Sequence, residues 1–266
     1  MSEVHFVGAG PGAVDLITLR GKMLLERADV IIYTGSLVNP LLLELAKKTC
    51  VTHNSAYLTL DAVIRLMEEA VARGFEVVRL HTGDPSLYGA IREQLDRLNR
   101  LGISWDICPG VSSFCAAAAV LGVELTLPAV SQSVIITRYE GRTGVPAAES
   151  LTSLAVHGAT MVFFLSIGMV DTMREDLISS GNYSADTPAA IVYKATWAEQ
   201  KVLRGTVGTL SEMARSSGIK KTALVLVGNV LGDDYDLSRL YAPDFSTEYR
   251  QGILPQGGQD TAKEGA

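Results

Sequence analysis

Residues 4–13 read Val4-His5-Phe6-Val7-Gly8-Ala9-Gly10-Pro11-Gly12-Ala13, a short apolar run that stops in a turn built on glycine. An apolar run of this length, bounded by turn residues, reads as a buried strand. The turn satisfies the G-x-G-x-x-G/A spacing of a dinucleotide-binding loop. In that fingerprint an acidic residue some 20 positions on ends the second strand and holds a ribose. Here Asp29 precedes the second strand, which runs from Val30 to Tyr33 and continues into Thr34-Gly35-Ser36 without a carboxylate. Pro11 also removes an N–H from a loop whose use is to offer N–H groups to pyrophosphate. The turn therefore reads first as a tight strand-to-helix connection. A nicotinamide-dependent oxidoreductase using NAD(P) remains the alternative from another functional class.

The same strand–turn–helix unit recurs along the first half. A strand over Phe75–Leu80 leads into Thr82-Gly83-Asp84-Pro85-Ser86-Leu87-Tyr88-Gly89, then into a helix with Leu87, Ile91, Leu95 and Leu98 on one face. Asp84 is placed to cap that helix at the residue before Pro85, or to meet a ligand. A strand over Ile103–Cys108 leads through Pro109-Gly110 to Ser112, Ser113 and an alanine-rich helix, Val111–Leu121. Between them, Leu60, Val63, Ile64, Met67 and Val71 fall at helical spacing, with Thr59 as N-cap and Gly74 as stop. Strands alternating with helices predict an α/β protein whose N-terminal sheet is mostly parallel. Three turns on one sheet edge then form a rim of glycines and small hydroxyls where ligands bind.

The pattern breaks between Val123 and Val130, around Pro128. Two α/β domains are expected, residues 1–125 and 126–242, with residues 243–266 a largely disordered tail. Strands are expected at Ser133–Arg138, Met161–Leu165, Ala189–Lys194, Lys201–Val207 and Ala223–Val230, the third and fourth forming a hairpin, so the C-terminal sheet is mixed. Thr137-Arg138-Tyr139-Glu140-Gly141-Arg142-Thr143-Gly144 reads as a solvated loop or as an anion-reading loop, Arg being suited to gripping carboxylates. Tyr193-Lys194-Ala195-Thr196-Trp197 reads as a strand end or a pocket wall.

Composition narrows the partners. The 266 residues carry a formal net charge of −6, which disfavours nucleic acid, and the uncharged stretch near Cys115–Val123 is far shorter than the roughly 20 apolar residues of a membrane span. The N-terminus runs into a strand with no signal-like segment, so a cytoplasmic protein is expected. Cys50, Cys108 and Cys115 form no C-x-x-C, and the four histidines do not cluster. They read as buried thiols in a reducing compartment, with no protein-bound metal expected.

Taken together, residues 7–21 (VGAGPGAVDLITLRG), 82–89 (TGDPSLYG), 108–114 (CPGVSSF), 126–146 (TLPAVSQSVIITRYEGRTGVP) and 188–206 (PAAIVYKATWAEQKVLRGT) resemble the tetrapyrrole methylase family, in order and over residues 3–240. Ala198 stands where proline is usual in the last motif. The resemblance implies two α/β domains with a ligand cleft between them, binding S-adenosyl-L-methionine (SAM) and releasing S-adenosyl-L-homocysteine. It assigns cofactor contacts to Pro11, Thr82, Gly83, Asp84, Leu87, Ser112, Ser113, Leu165, Ala195 and Ala223. It assigns substrate contacts to Gly10, Ser36, Tyr88, Arg138, Arg142 and Lys194, and names no catalytic residue. The implied reaction is C11 methylation of precorrin-4 to precorrin-5 in cobalamin biosynthesis. A cobalt-bearing precorrin-4 or a uroporphyrinogen-type ring is the alternative substrate. The implied assembly is a homodimer.

Overall fold

The computed structural model describes residues 3–141 and 143–253. Five strands, β1 (Val4–Gly8), β2 (Val30–Tyr33), β3 (Val51–Asn54), β4 (Val77–His81) and β5 (Trp105–Cys108), form one sheet in the order β3-β2-β4-β1-β5. Every pair in it is parallel. Parallel pairing sends all five C-terminal strand ends to one edge, and the expected turns lie along it.

Helices cover both faces of this sheet. α1 (Leu19–Arg27) buries Leu24 and Leu25 with Val7, Ile31 and Leu80. α2 (Leu60–Val71) buries Val63, Ile64 and Met67 against Val4, Phe6, Val30 and Val77 on the opposite face. As expected, the Thr59 hydroxyl accepts from the Ala62 N–H and caps α2, and Gly74 adopts a left-handed φ of +74° just beyond it.

α3 spans Arg92–Leu101 and packs Leu95 and Leu98 beside α2. Here the structure corrects the expected helix. Residues 84–88 form a turn, so Leu87 lies outside the helix and Asp84 caps none. The apolar spacing of Leu87 and Ile91 continues the helical period, but Tyr88 and Ala90 hold φ of +55° and +49°, which no right-handed helix accommodates. Among the elements that went unread are β3, whose Val51-Thr52-His53-Asn54 lacks an apolar run, and a 3-10 helix at Pro40–Leu45.

Five more strands, β6 (Val134–Arg138), β7 (Thr160–Phe164), β8 (Pro188–Tyr193), β9 (Lys201–Thr206) and β10 (Ala223–Val227), form a mixed sheet in the order β6-β7-β10-β8-β9. β6 and β7 are parallel, and β8 and β9 form the expected antiparallel hairpin. α5 (Leu151–Ala155), α6 (Val170–Ser179) and α7 (Leu210–Ser217) cover one face.

The other face of this sheet is covered by α4 (Ser113–Leu121), which follows β5 of the first sheet. Its Ala116 and Ala117 sit against Val162, Ala190, Val192, Leu224 and Leu226. Small side chains let the helix backbone come close to the strands, which explains its alanine content. Cys115 lies off this face and is exposed, whereas Cys108 is buried, so only the latter matches the expected buried thiol. No helix among the described residues is long and apolar enough to cross a membrane. Residues 254–266, the end of the expected tail, lie outside the described residues, as does Arg142.

Candidate active site

The three turns at the carboxyl edge of the first sheet are packed backbone on backbone. A Cβ on Gly8 would stand 2.5 Å from the Gly83 carbonyl oxygen, and one on Gly110 would stand 2.2 Å from the same atom. Gly10 and Gly83 exchange main-chain hydrogen bonds of 3.2 and 2.9 Å. The rim glycines read from the sequence therefore make room first for one another.

Asp84 joins two of these turns. Its Oδ2 accepts the Gly110 N–H at 2.9 Å, and its Oδ1 accepts the Ser86 N–H at 2.8 Å and the Ser86 hydroxyl. Burial raises the carboxyl pKa, but the bonds from Ser86 and Gly110 outweigh it and hold the group below the usual carboxylate range. Asp84→Ala leaves these donors unpaired and is expected to cost about 2 kcal/mol, as for hydrogen bonds to a charged acceptor. Urea denaturation of the two proteins checks this; an unchanged midpoint contradicts the bridging role.

Residues 9–13 offer little to a pyrophosphate. Ala9 N–H donates to His81 O, Gly10 N–H to Gly83 O and Ala13 N–H to Thr196 Oγ1, so three of the four N–H groups already have partners. The dinucleotide reading of this loop lacks the donors it needs.

The second sheet contributes one edge as well. Arg138 ends β6, Leu165 follows β7, Lys194 and Ala195 follow β8, and Ala223 begins the antiparallel β10, so the register brings them to the same edge. That edge meets the first sheet's. The rings of Tyr88 and Phe164 lie 5.2 Å apart, and the Trp197 indole N–H donates to Pro11 O at 2.8 Å. Gly10, Pro11, Thr82–Tyr88, Ser112 and Ser113 from the first sheet and Leu165 and Ala195 from the second thus come to the meeting of the two edges. Ser36 sits in the 3-10 turn after β2, on the first sheet's edge. Ala223 is buried in the core between the second sheet and α5, α6 and α7, so its side chain, unlike its backbone, does not join the other expected contacts.

Backbone strain marks the same place. Of the seven non-glycine residues with positive φ among the described residues, four are Tyr88, Leu165, Lys194 and Thr196, all at the meeting of the two edges. Such conformations cost energy and persist where the surroundings impose them, commonly at functional sites. Leu165 is 69% exposed despite being apolar, a surface available to a ligand.

The expected cations have partners inside the protein. Arg138 donates to the Thr143 and Gly144 carbonyls at 3.0 and 2.5 Å, closing its own loop. Lys194 Nζ lies 3.3 Å from Glu199 and 5.2 Å above the Trp197 ring. Both are half-buried and keep further N–H donors for a ligand. The loop after Arg138 is tied down by Tyr139, whose N–H donates to the buried Ser166 hydroxyl and whose own hydroxyl donates to Asp176 at 2.6 Å. Burial and that carboxylate push the Tyr139 phenol up to about 12, so it stays a donor at neutral pH. Sequence reasoning passed over Ser166 and Asp176, which lie in no recognisable motif; Trp197 reads from the sequence as part of a strand end or pocket wall, without its bond to Pro11.

A parallel sheet joined edge to edge with a mixed one, enclosing a cleft lined by glycine turns, describes the tetrapyrrole methylase architecture. The chain belongs to the Tetrapyrrole (Corrin/Porphyrin) Methylases, whose family pattern it matches over residues 3–211. It is 53% identical to a cobalt-precorrin-4 C(11)-methyltransferase of Methanocaldococcus jannaschii, covering 94% of this chain and 96% of that one. It is 44% identical to the precorrin-4 C(11)-methyltransferase of Pseudomonas aeruginosa, covering 94% and 99%. Among solved structures, an X-ray structure of a cobalt precorrin-4 methyltransferase superposes with a TM-score of 0.85 at 44% identity, covering 86% of this chain and 96% of that one. A uroporphyrin-III C-methyltransferase from Thermus thermophilus, complexed with S-adenosyl homocysteine, gives 0.70 at 25% identity, covering 86% and 93%.

Proposed function

We propose that this chain transfers a methyl group from SAM to C11 of precorrin-4, giving precorrin-5 on the route to cobalamin. The observation that supports the reading is that both sheet edges carry the motif residues of the family where the two sheets meet. The residues fit the donor. Leu165, 69% exposed, gives an aliphatic surface for an adenosyl group beside the buried Ala195, with the turns that carry Pro11, Thr82, Gly83 and Ser112 across from it.

When bound, SAM would supply an electrophilic sulfonium methyl to the electron-rich ring carbon, leaving S-adenosyl-L-homocysteine. The chain's own work is positioning and exclusion of water, which is where methyl transfer without a covalent intermediate gains its rate. The glycine-packed turns, fixed by Asp84, hold the donor side. Arg138, Arg142 and Lys194 set a positive local field for ring carboxylates against the overall charge of −6. A homodimer in the cytoplasm, with no bound metal, completes the reading.

The test is incubation with SAM and precorrin-4, or with its cobalt complex, followed by mass spectrometry. One added methyl on the ring at C11 is expected. The cobalt form is included because the relative at 53% identity carries that name. Methyl on neither ring, with NADH bound in place of SAM, overturns the proposal.

A further inference from the structure

The loop at residues 10–13 belongs to the first sheet, yet much of what fixes it comes from a turn about 185 residues away in the chain. Ala13 N–H donates to Thr196 Oγ1 at 3.0 Å, and Trp197 Nε1–H donates to Pro11 O at 2.8 Å. The indole also abuts Gly12, where an added Cβ would come within 2.2 Å of Trp197 Cδ1. From the first sheet's side, Asn39 Nδ2 donates to Gly12 O at 2.8 Å, so the loop is gripped from both faces.

The turn that carries Trp197 is itself braced. Trp197 N–H donates to Lys194 O, Gln200 N–H donates to Trp197 O, and Thr196 N–H donates to Gln200 Oε1 at 2.7 Å. The Lys194 ammonium stands over the indole face, where a cation and a ring quadrupole attract. Lys194 and Thr196 both hold positive φ, a cost that fixes the turn in one shape.

We propose that Trp197 is a positioning residue for methyl transfer. It clasps the two sheet edges together and sets the position of Pro11 in the cleft, with Lys194 holding the indole in place. This rests on the chain being a SAM-dependent methylase. In-line transfer between a sulfonium and a ring carbon is sensitive to misplacement of about 1 Å. The clasp spans the boundary across which donor and acceptor must be aligned, and both of its polar contacts are made by residues that touch the loop rather than the reacting atoms.

Three variants separate its parts. Trp197→Ala removes ring and donor together, and kcat is expected to fall on the order of 100-fold, the cost of a misplaced reacting pair. Trp197→Phe keeps a ring against Gly12 but donates nothing to Pro11. Its affinity for S-adenosyl-L-homocysteine, measured by calorimetry, is expected to match wild type while kcat stays down by about tenfold. Trp105→Phe is the control, since that indole donates to Asn99 away from the cleft, and it should leave both values unchanged. If Trp197→Ala fails to fold, Thr196→Val reads the same clasp by removing the Ala13 acceptor, again with kcat down. Wild-type kcat in Trp197→Phe and Thr196→Val, or losses no larger than those of Trp105→Phe, overturns the inference. A wild-type protein that binds S-adenosyl-L-homocysteine but methylates neither ring overturns the assigned reaction instead. The clasp is then judged on binding affinity in Trp197→Ala, expected to fall and refuted if unchanged.

Discussion

Gly110→Ala is expected to lower stability by about 3 kcal/mol or more and to abolish SAM binding, the cost of forcing a methyl group into a site closed on every side. The new Cβ would meet the Gly83 carbonyl oxygen at 2.2 Å and Gly8 Cα at 2.7 Å. These are backbone atoms of two other strand ends, so no side chain can swing away. Relief requires the β5 turn to separate from the turns after β1 and β4, which also pulls the Gly110 N–H from Asp84. The comparison variant is Gly102→Ala. Gly102 holds a left-handed φ of +69° at the end of α3, with open space where a Cβ would go. Its replacement costs only conformational strain, about 1 kcal/mol, and leaves the cleft alone. Denaturation midpoints and calorimetric titration with S-adenosyl-L-homocysteine distinguish the two. Equal losses in both variants would mean that the three glycines are not in mutual contact.

That contrast shows what was legible in the sequence. The turns at Gly8–Gly12, Gly83 and Gly110 were readable because glycine and proline punctuate apolar runs, and the strand–helix alternation placed them on one edge. What required them to be glycine was not readable. A glycine excluded by a ligand and a glycine excluded by another turn look the same in one dimension. The helix misread at Leu87–Ile91 has the same origin. Its apolar period was genuine, but the backbone reversal at Tyr88 and Ala90 is imposed by tertiary packing of residues with no propensity for it.

Arg138 and Lys194 both lie where the two sheet edges meet. Each also holds its own loop, Arg138 through two carbonyls and Lys194 through an indole and Glu199. A residue that shapes the wall and also presents charge to the ligand ties affinity to loop geometry. Truncation at either position is then a poor measure of charge alone.

The second large effect concerns acid. His81 closes β4 directly before the Thr82–Asp84 turn, is 2% exposed, and stacks on Phe6 with Nε2 unpaired. Burial, and then the neighbouring Arg79 guanidinium, push its pKa down to about 3. Arg79 is itself buried, donating to Gln94 Oε1 and to Ile32 O, and burial lowers its pKa to about 10, so it remains charged at neutral pH. The folded protein thus keeps His81 neutral where the unfolded chain takes up a proton. A depressed folded-state pKa contributes stability that is complete above the unfolded value, near 6.5, and is lost as pH falls toward 3. The loss approaches about 1.4 kcal/mol per pH unit within that window and reaches on the order of 4 kcal/mol across it. His81→Leu removes the proton site and the unpaired nitrogen while keeping apolar volume beside Phe6. Urea unfolding of both proteins between pH 7 and pH 4 is expected to show wild-type stability falling more steeply, with the variant gaining on it as the medium is acidified. A stability difference that stays constant across that range would mean His81 takes up its proton in the folded state as readily as in the unfolded chain.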